Sequence, residues 1–515
     1  MAFPIPPILR RAPPFVPLLL LLLVTSLLLL GHPTTRQHVV PSSWVGGSGR
    51  GGPVGISATD EAPLPKEYEQ WFPSGQLPHE LDGEPRLGKA LKAFLRRPAL
   101  SHDEAANHDH CPAHLAKLLV NPDQLKNDGP FWRALKPEEI RQKRAELVQY
   151  LAARQAEGYN LVHSDGENGN STGKGRGIVL TAGNKDTTER AITLLRMLKS
   201  YGNTLPIEVF HYEGELTDAG QRSAIEELGG KVMQVRNAEK KAGRWKNWQI
   251  KSSAMIESSF REVLSLDSDN IPLGKVEHLF DADLYKNHGG AVFWPDITKD
   301  HPDNAIWRVV GEPCSFDEWT FESGQIVFDK AGNGGLNLAA LWLATGMMAD
   351  DAFWFKLCGG DKDTFRWAFR ALDIPYARSQ RWLSALGYLQ NSGSFCGHTM
   401  LQYDITIPEG QGNYPPLFVH SNLLKHLGAE QERPIFKLIK KMKVDRASEP
   451  SLNYALLDVK LSPWMCTDLA IHPHVKPDEI KDNFVELQDI SQVEGNPFDG
   501  FEKLFFESGG MVGGW

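Results

Sequence analysis

The segment Val263-Leu264-Ser265-Leu266-Asp267-Ser268-Asp269-Asn270-Ile271-Pro272 constrains this chain most: a short apolar run that stops at two carboxylates one residue apart. Such a run, bounded by turn residues, reads as a buried strand. The surrounding pattern alternates. Gly177-Ile178-Val179-Leu180 runs as a strand into the small-residue turn Thr181-Ala182-Gly183, and residues 186–200 carry apolar side chains at 191, 192, 194, 195 and 198, one helical face. Strands follow at 207–212, 231–235 and 262–266, helices at 218–228 and 245–260, and later strands at 291–294 and 325–328. Strand and helix alternating at this spacing predict an α/β fold: a Rossmann-like, mostly parallel sheet flanked by helices, with right-handed crossovers. Ligands of such sheets bind outside the carboxyl ends of the strands, which is where Asp267 and Asp269 fall.

The N-terminus predicts an address. Arg10 and Arg11 precede an apolar run from Phe15 to Leu30. It is slightly short of the roughly 20 residues of a spanning helix, and the preceding positive charge would keep the N-terminus cytoplasmic. A cleaved signal peptide is the competing reading, but no small-x-small cleavage site follows Leu30. The expected layout is a cytoplasmic tail (1–14), a signal anchor (15–31) and a flexible stem (32–85), Gly/Ser/Pro-rich to about Leu64. A helical extension (86–175), a catalytic core (176–430) and a C-terminal extension (431–515) complete it. Pro137-Glu138-Glu139 is a helix start for a segment running to about Glu157. Asn170-Ser171-Thr172 is a glycosylation acceptor pattern. The five cysteines allow two disulfides and one thiol, or five buried thiols. A net charge of −9 argues against a nucleic-acid partner, which calls for a basic surface.

Two carboxylates at a strand end supply hard oxygen ligands for Mn²⁺, with Mg²⁺ as the alternative, and a bound ion can neutralise a departing diphosphate. The bland alternative is an Asx turn. Haloacid-dehalogenase phosphatases also place D-x-D after a buried strand. That motif usually continues with Val or Thr and opens its domain, whereas here Asn270-Ile271-Pro272 follows and several elements come first.

Taken in order, Trp248-Gln249-Ile250-Lys251-Ser252, Leu266-Asp267-Ser268-Asp269-Asn270-Ile271-Pro272, Phe293-Trp294-Pro295-Asp296, Glu322-Ser323-Gly324-Gln325, Gly360-Asp361-Lys362-Asp363 and Phe418-Val419-His420-Ser421-Asn422-Leu423-Leu424-Lys425 resemble the fungal Golgi α-1,2-mannosyltransferases that branch mannan. The resemblance covers about half the chain, roughly 177–425. It implies a GT-A fold, GDP-mannose as donor, a mannose-containing glycan as acceptor, Mn²⁺, retention of configuration and type II Golgi topology. It implies roles for Asp296, Gln325 and Lys362 at the donor, beside Asp361 and Glu322 as catalytic carboxylates.

Each position keeps a plainer alternative. Thr181, Ala182 and Gly183 could admit a nucleotide against backbone N–H groups or simply form a turn. Lys251 could reach a diphosphate or lie solvated on its helix. Asp361 could hold donor-sugar hydroxyls or cap the helix beginning near Thr364. Glu322 could contact donor or acceptor or be a loop acid. His420 is the candidate third metal ligand, ahead of His398 and Asp404. Trp245 and Trp248 read as packing residues. The glycine-rich insert 331–335 and the chain after about Leu427 fall outside the resemblance, and the tail from Gly509 to Trp515 is expected to be disordered. A UDP-sugar transferase and a catalytically silent glycan-binding protein remain the competing functions.

Overall fold

The computed structural model describes residues 62–106, 111, 121–164, 172–244, 247–408, 411–427, 434–443, 455–460, 466–471 and 485–513. The anchor expected at 15–31, the acceptor Asn170 and Trp245 lie outside the described residues. Among those residues, no helix is long and apolar enough to cross a membrane.

The predicted alternation is realised: β1 (Arg176–Thr181), α4 (Lys185–Ser200), β2 (Ile207–His211), α5 (Ala219–Glu227), β3 (Gly230–Gln234), α6 (Ile250–Glu257) and β4 (Glu262–Leu266). Ahead of them come α1 (Pro85–Arg96), α2 (Pro122–Ala134) and α3 (Pro137–Ala156). Helix α3 starts at the proline the sequence marks, with Glu139 reaching back to the Lys136 N–H at 3.0 Å. After β4 come β5 (Asn270–Pro272), β6 (Ala291–Pro295), β7 (Phe321–Asp329), α7 (Leu336–Ala349), α8 (Lys362–Leu372) and β8 (Ala377–Arg378). The first sheet has the order β3-β2-β1-β4-β7-β6-β8; β7 runs antiparallel to both neighbours and the other six strands are parallel. Helix α7 is buried from Leu336 to Met348, which is why its sequence is apolar on every side. It packs with α1, α3, α6 and α8 in the core on one face of the sheet.

A second, antiparallel sheet gathers β5, β9 (Ser384–Leu389), β10 (Phe395–Tyr403), β11 (Pro416–His420), β12 (Leu438–Met442), β13 (Ala455–Lys460), β14 (Cys466–Ile471) and β15 (Val485–Asp489). It shares a core with α4 and with α9 (Phe501–Glu507).

Three expectations change. The stem drawn to residue 85 is packed chain from Leu64 onward, because Leu64, Tyr68, Phe72, Leu77 and Leu81 bury their side chains in the core. The region after Leu427 is not an appendage: β12 pairs with β9 and β14 with β10. The tail expected to be disordered is ordered to Gly513, whose N–H donates to the Leu424 carbonyl at 3.0 Å. The cysteines form Cys111–Cys314 and Cys396–Cys466, leaving Cys358 buried as a thiol.

Candidate active site

Strand β4 ends at Leu266, and the chain leaves the first sheet for the second within four residues. Asp267 still belongs to the first: its N–H donates to the Gly324 carbonyl of β7 at 2.8 Å. Asn270 already belongs to the second, paired across the ladder with His420 of β11. The two carboxylates therefore occupy the crossover, and a histidine some 150 residues later arrives through strand pairing. One ligand atom from each of Asp267, Asp269 and His420 lies within 4.8 Å of the others.

Buried charge is balanced closely here. Lys251, on α6, places its ammonium 2.9 Å from Asp267, 3.1 Å from Asp361 and 3.0 Å from the Ser323 hydroxyl. Burial alone would lower its pKa, but the charges of Asp267 and Asp361 raise it instead. Lys425 donates to Asp269 at 2.5 Å. His420 Nε2 is 3.5 Å from Asp269 and Nδ1 is 3.2 Å from Glu322. Burial disfavours its imidazolium, yet Glu322 and Asp269 reverse this and raise its pKa to about 10. Burial would raise the Glu322 carboxyl, but His420 and the Gly324 N–H bring it down to about 2. Asp269 is likewise held well below the usual range by His420 and Lys425 despite burial, whereas burial wins at Asp267 and raises it. Gly324 has to be glycine: a Cβ there would stand 2.8 Å from His420 Nδ1 and 2.9 Å from Glu322 Oε1.

The other singled-out residues line the same edge. Thr181, Ala182 and Gly183 end β1 beside β4, Leu180 being in register with Leu266. The Gly183 N–H donates to the Thr187 hydroxyl at 3.1 Å, and the Glu215 carboxylate packs over Gly183. Asp361 precedes α8 without a side-chain cap, so its carboxylate serves Lys251 rather than the helix. Asp296, at the end of β6, pairs with Lys362 at 2.9 Å. Lys362 also reaches Asp363, which accepts the Phe321 N–H at 2.9 Å at the mouth of β7. Gln325 is fully buried beneath the D-x-D segment and accepts from Asn270.

His398 and Asp404 sit elsewhere. His398 is a core imidazole whose pKa burial lowers to about 4, and Asp404 pairs with His278 at 2.6 Å. Sequence reading assigned no role to Ser323 or Lys425. Both stood inside quoted motifs, and only folding brings them against Lys251 and Asp269.

Two carboxylate oxygens from the β4–β5 crossover and one imidazole nitrogen from the end of β11 form a mixed O/N donor set that suits Mn²⁺ better than Ca²⁺. A mostly parallel α/β sheet carrying this set beyond its carboxyl edge defines a GT-A glycosyltransferase fold. Residues 175–311 and 315–404 match the family model described as "Mannosyltransferase putative", so the resemblance read from the motifs is borne out over this region. The chain is 26% identical over 280 residues to the α-1,2-mannosyltransferase MNN22 of Candida albicans, covering 44% of this chain and 46% of that protein. It is 25% identical over 293 residues to the α-1,2-mannosyltransferase MNN2 of Saccharomyces cerevisiae, covering 47% of each. The chain thus spans about half the length of the curated relatives it matches. The glycosyltransferase GlyE of Streptococcus pneumoniae aligns over 40% of this chain and 45% of its own, at 14% identity and a TM-score of 0.26.

Proposed function

We propose that this protein is a Mn²⁺-dependent, retaining α-mannosyltransferase. It moves mannose from GDP-mannose to a mannose-containing glycan, making α-1,2 branches on cell-wall mannan or glycoprotein glycans. The observation that carries the reading is the convergence of Asp267, Asp269 and His420, one ligand atom of each within 4.8 Å of the others. The names of the similar proteins support the sugar and the linkage. The apolar run at 15–31 behind Arg10 and Arg11 supports a single-pass type II Golgi membrane protein with a lumenal catalytic domain.

Asp267, Asp269 and His420 would hold the ion, which when bound neutralises charge on the diphosphate leaving group. Lys251 and Lys425 flank the two carboxylates and set fixed positive charge where the diphosphate departs. Glu322 lies 3.2 Å from His420 Nδ1, and Nε2 faces Asp269 at 3.5 Å. Asp361 is the carboxylate placed to accept hydroxyls of the donor sugar, with Ser323 at 3.5 Å from it. Asp361 is engaged by the Lys251 ammonium and Glu322 by the His420 ring. That favours attack of the acceptor hydroxyl from the face the diphosphate vacates over a carboxylate nucleophile of the kind retaining glycosidases use.

The test is Mn²⁺-dependent release of GDP from GDP-mannose in the presence of mannose oligomers. Release accompanied by a lengthened oligomer is expected. Turnover of UDP-sugars in place of GDP-mannose would overturn the donor assignment, and glycan binding without nucleotide release would favour a silent binding protein.

A further inference from the structure

We propose that the C-terminal segment, residues 501–513, is a working part of the site: it braces the turn that carries Lys425 and so fixes Asp269 and His420. The inference rests on the metal-assisted reading above and adds to it a positioning element that lies outside the family-matched region, which ends at residue 404.

The turn after β11 grips the second carboxylate residue twice. The Ser421 N–H donates to the Asp269 carbonyl at 2.9 Å, and the Lys425 ammonium donates to its carboxylate at 2.5 Å. His420 opens the same turn. Leu424 is buried, and its carbonyl accepts the Gly513 N–H at 3.0 Å. A backbone contact from the end of the chain therefore holds the residue next to Lys425.

The segment that delivers Gly513 is itself anchored. Phe501 and Phe505 of α9 pack edge-on against Phe436, with centroids 5.1 and 5.4 Å away. Arg196 of α4 donates to the Ser508 carbonyl at 2.9 Å, and the Gly510 N–H closes back on Phe505 at 2.8 Å. A small, partly open pocket beside the turn is lined by Asp269, Ser421 and Lys425 together with Phe505 and Met511. Met511 is 41% exposed, so burial of its own side chain does not explain its place. It lines the same pocket as Lys425. The turn is held at Leu423, whose N–H donates to the His398 carbonyl at 3.2 Å, and at Leu424 by the Gly513 contact.

Gly513 has a φ of +69° and donates its N–H, so Gly513→Pro removes the donor and excludes the conformation. Gly513→Asn keeps the donor and tolerates left-handed backbone. Deletion of residues 513–515 removes the donor without local strain. In the full chain, amide hydrogen exchange across 421–427 is expected to accelerate about tenfold in Gly513→Pro and in the deletion. Mn²⁺ affinity should fall by a similar factor of about ten, with the thermal midpoint held and both losses reversed in Gly513→Asn. Unchanged exchange at 421–427 in both variants would overturn the brace. Failure of the parent protein to bind Mn²⁺ would overturn the metal-assisted reading instead, while the exchange measurement still decides the brace.

Discussion

The two sheets contribute to the site in opposite ways. The first presents its ligands at strand ends close in sequence: Asp267 and Asp269 follow β4, with Lys251 on the helix just before it. The second presents His420 and Lys425 from a strand and turn whose partners lie some 150 residues earlier, through the pairing of His420 with Asn270. Local chemistry thus comes from one sheet and long-range closure from the other. The crossover between them is the D-x-D segment itself.

If both halves act on one ion, removing either should be costly, and the first-sheet carboxylate more so. Asp269→Ala is expected to lower turnover on the order of 10³-fold while far-UV circular dichroism stays native. Retained activity would separate the carboxylates from the chemistry. His420→Ala should weaken Mn²⁺ binding by about 10- to 100-fold and leave residual activity at saturating metal. A loss as complete as that of Asp269→Ala would make the second sheet an equal contributor.

The second sheet is also stapled by Cys396–Cys466, which links β10 to β14 across 70 residues. Replacing both cysteines by serine should cost roughly 2–4 kcal/mol of stability, seen in denaturant melts, and weaken metal binding through His420. An unchanged metal affinity would mean that β11 keeps its place without the staple.

The smallest effect concerns the contact between His278, from the turn after β5, and Asp404, just beyond β10, at 2.6 Å. The hydrogen bond to Asp404 raises the His278 pKa. Its contribution to stability is present below the unfolded value of about 6.5 and is lost as pH rises through the folded value. Asp404 is lowered by His278 in spite of burial, so its contribution is present above the unfolded value of about 4 and is lost as pH falls through the folded one. His278→Asn should therefore lower the melting temperature by about 2 °C or less near pH 5–6, with the difference shrinking toward pH 8. A difference that grows with pH would reverse the assignment.

The first sheet was legible because its elements are local: buried apolar runs, helical faces and a proline-glutamate start each declare themselves within about twenty residues. Helix α6 was read too long at both ends: it runs from Ile250 to Glu257, with Trp248 and Gln249 in the turn that leads into it. The second sheet was not legible as a sheet. Its strands pair antiparallel across distant segments, and no local periodicity states that β5, three residues long, meets β11. His420 could be singled out by motif, but its proximity to Glu322 depends on Gly324, whose missing side chain signals nothing by itself. Lys425 and the ordered tail escaped for the same reason: their partners, Asp269 and Leu424, are reached only after both sheets form.

The most direct test of the central claim is a Mn²⁺ titration of the whole protein in the presence of GDP, followed by the loss of the free-ion paramagnetic resonance signal. One tightly held ion per chain is expected, with none in Asp269→Ala and a weakened one in His420→Ala. Equal stoichiometry and affinity in all three proteins would contradict it.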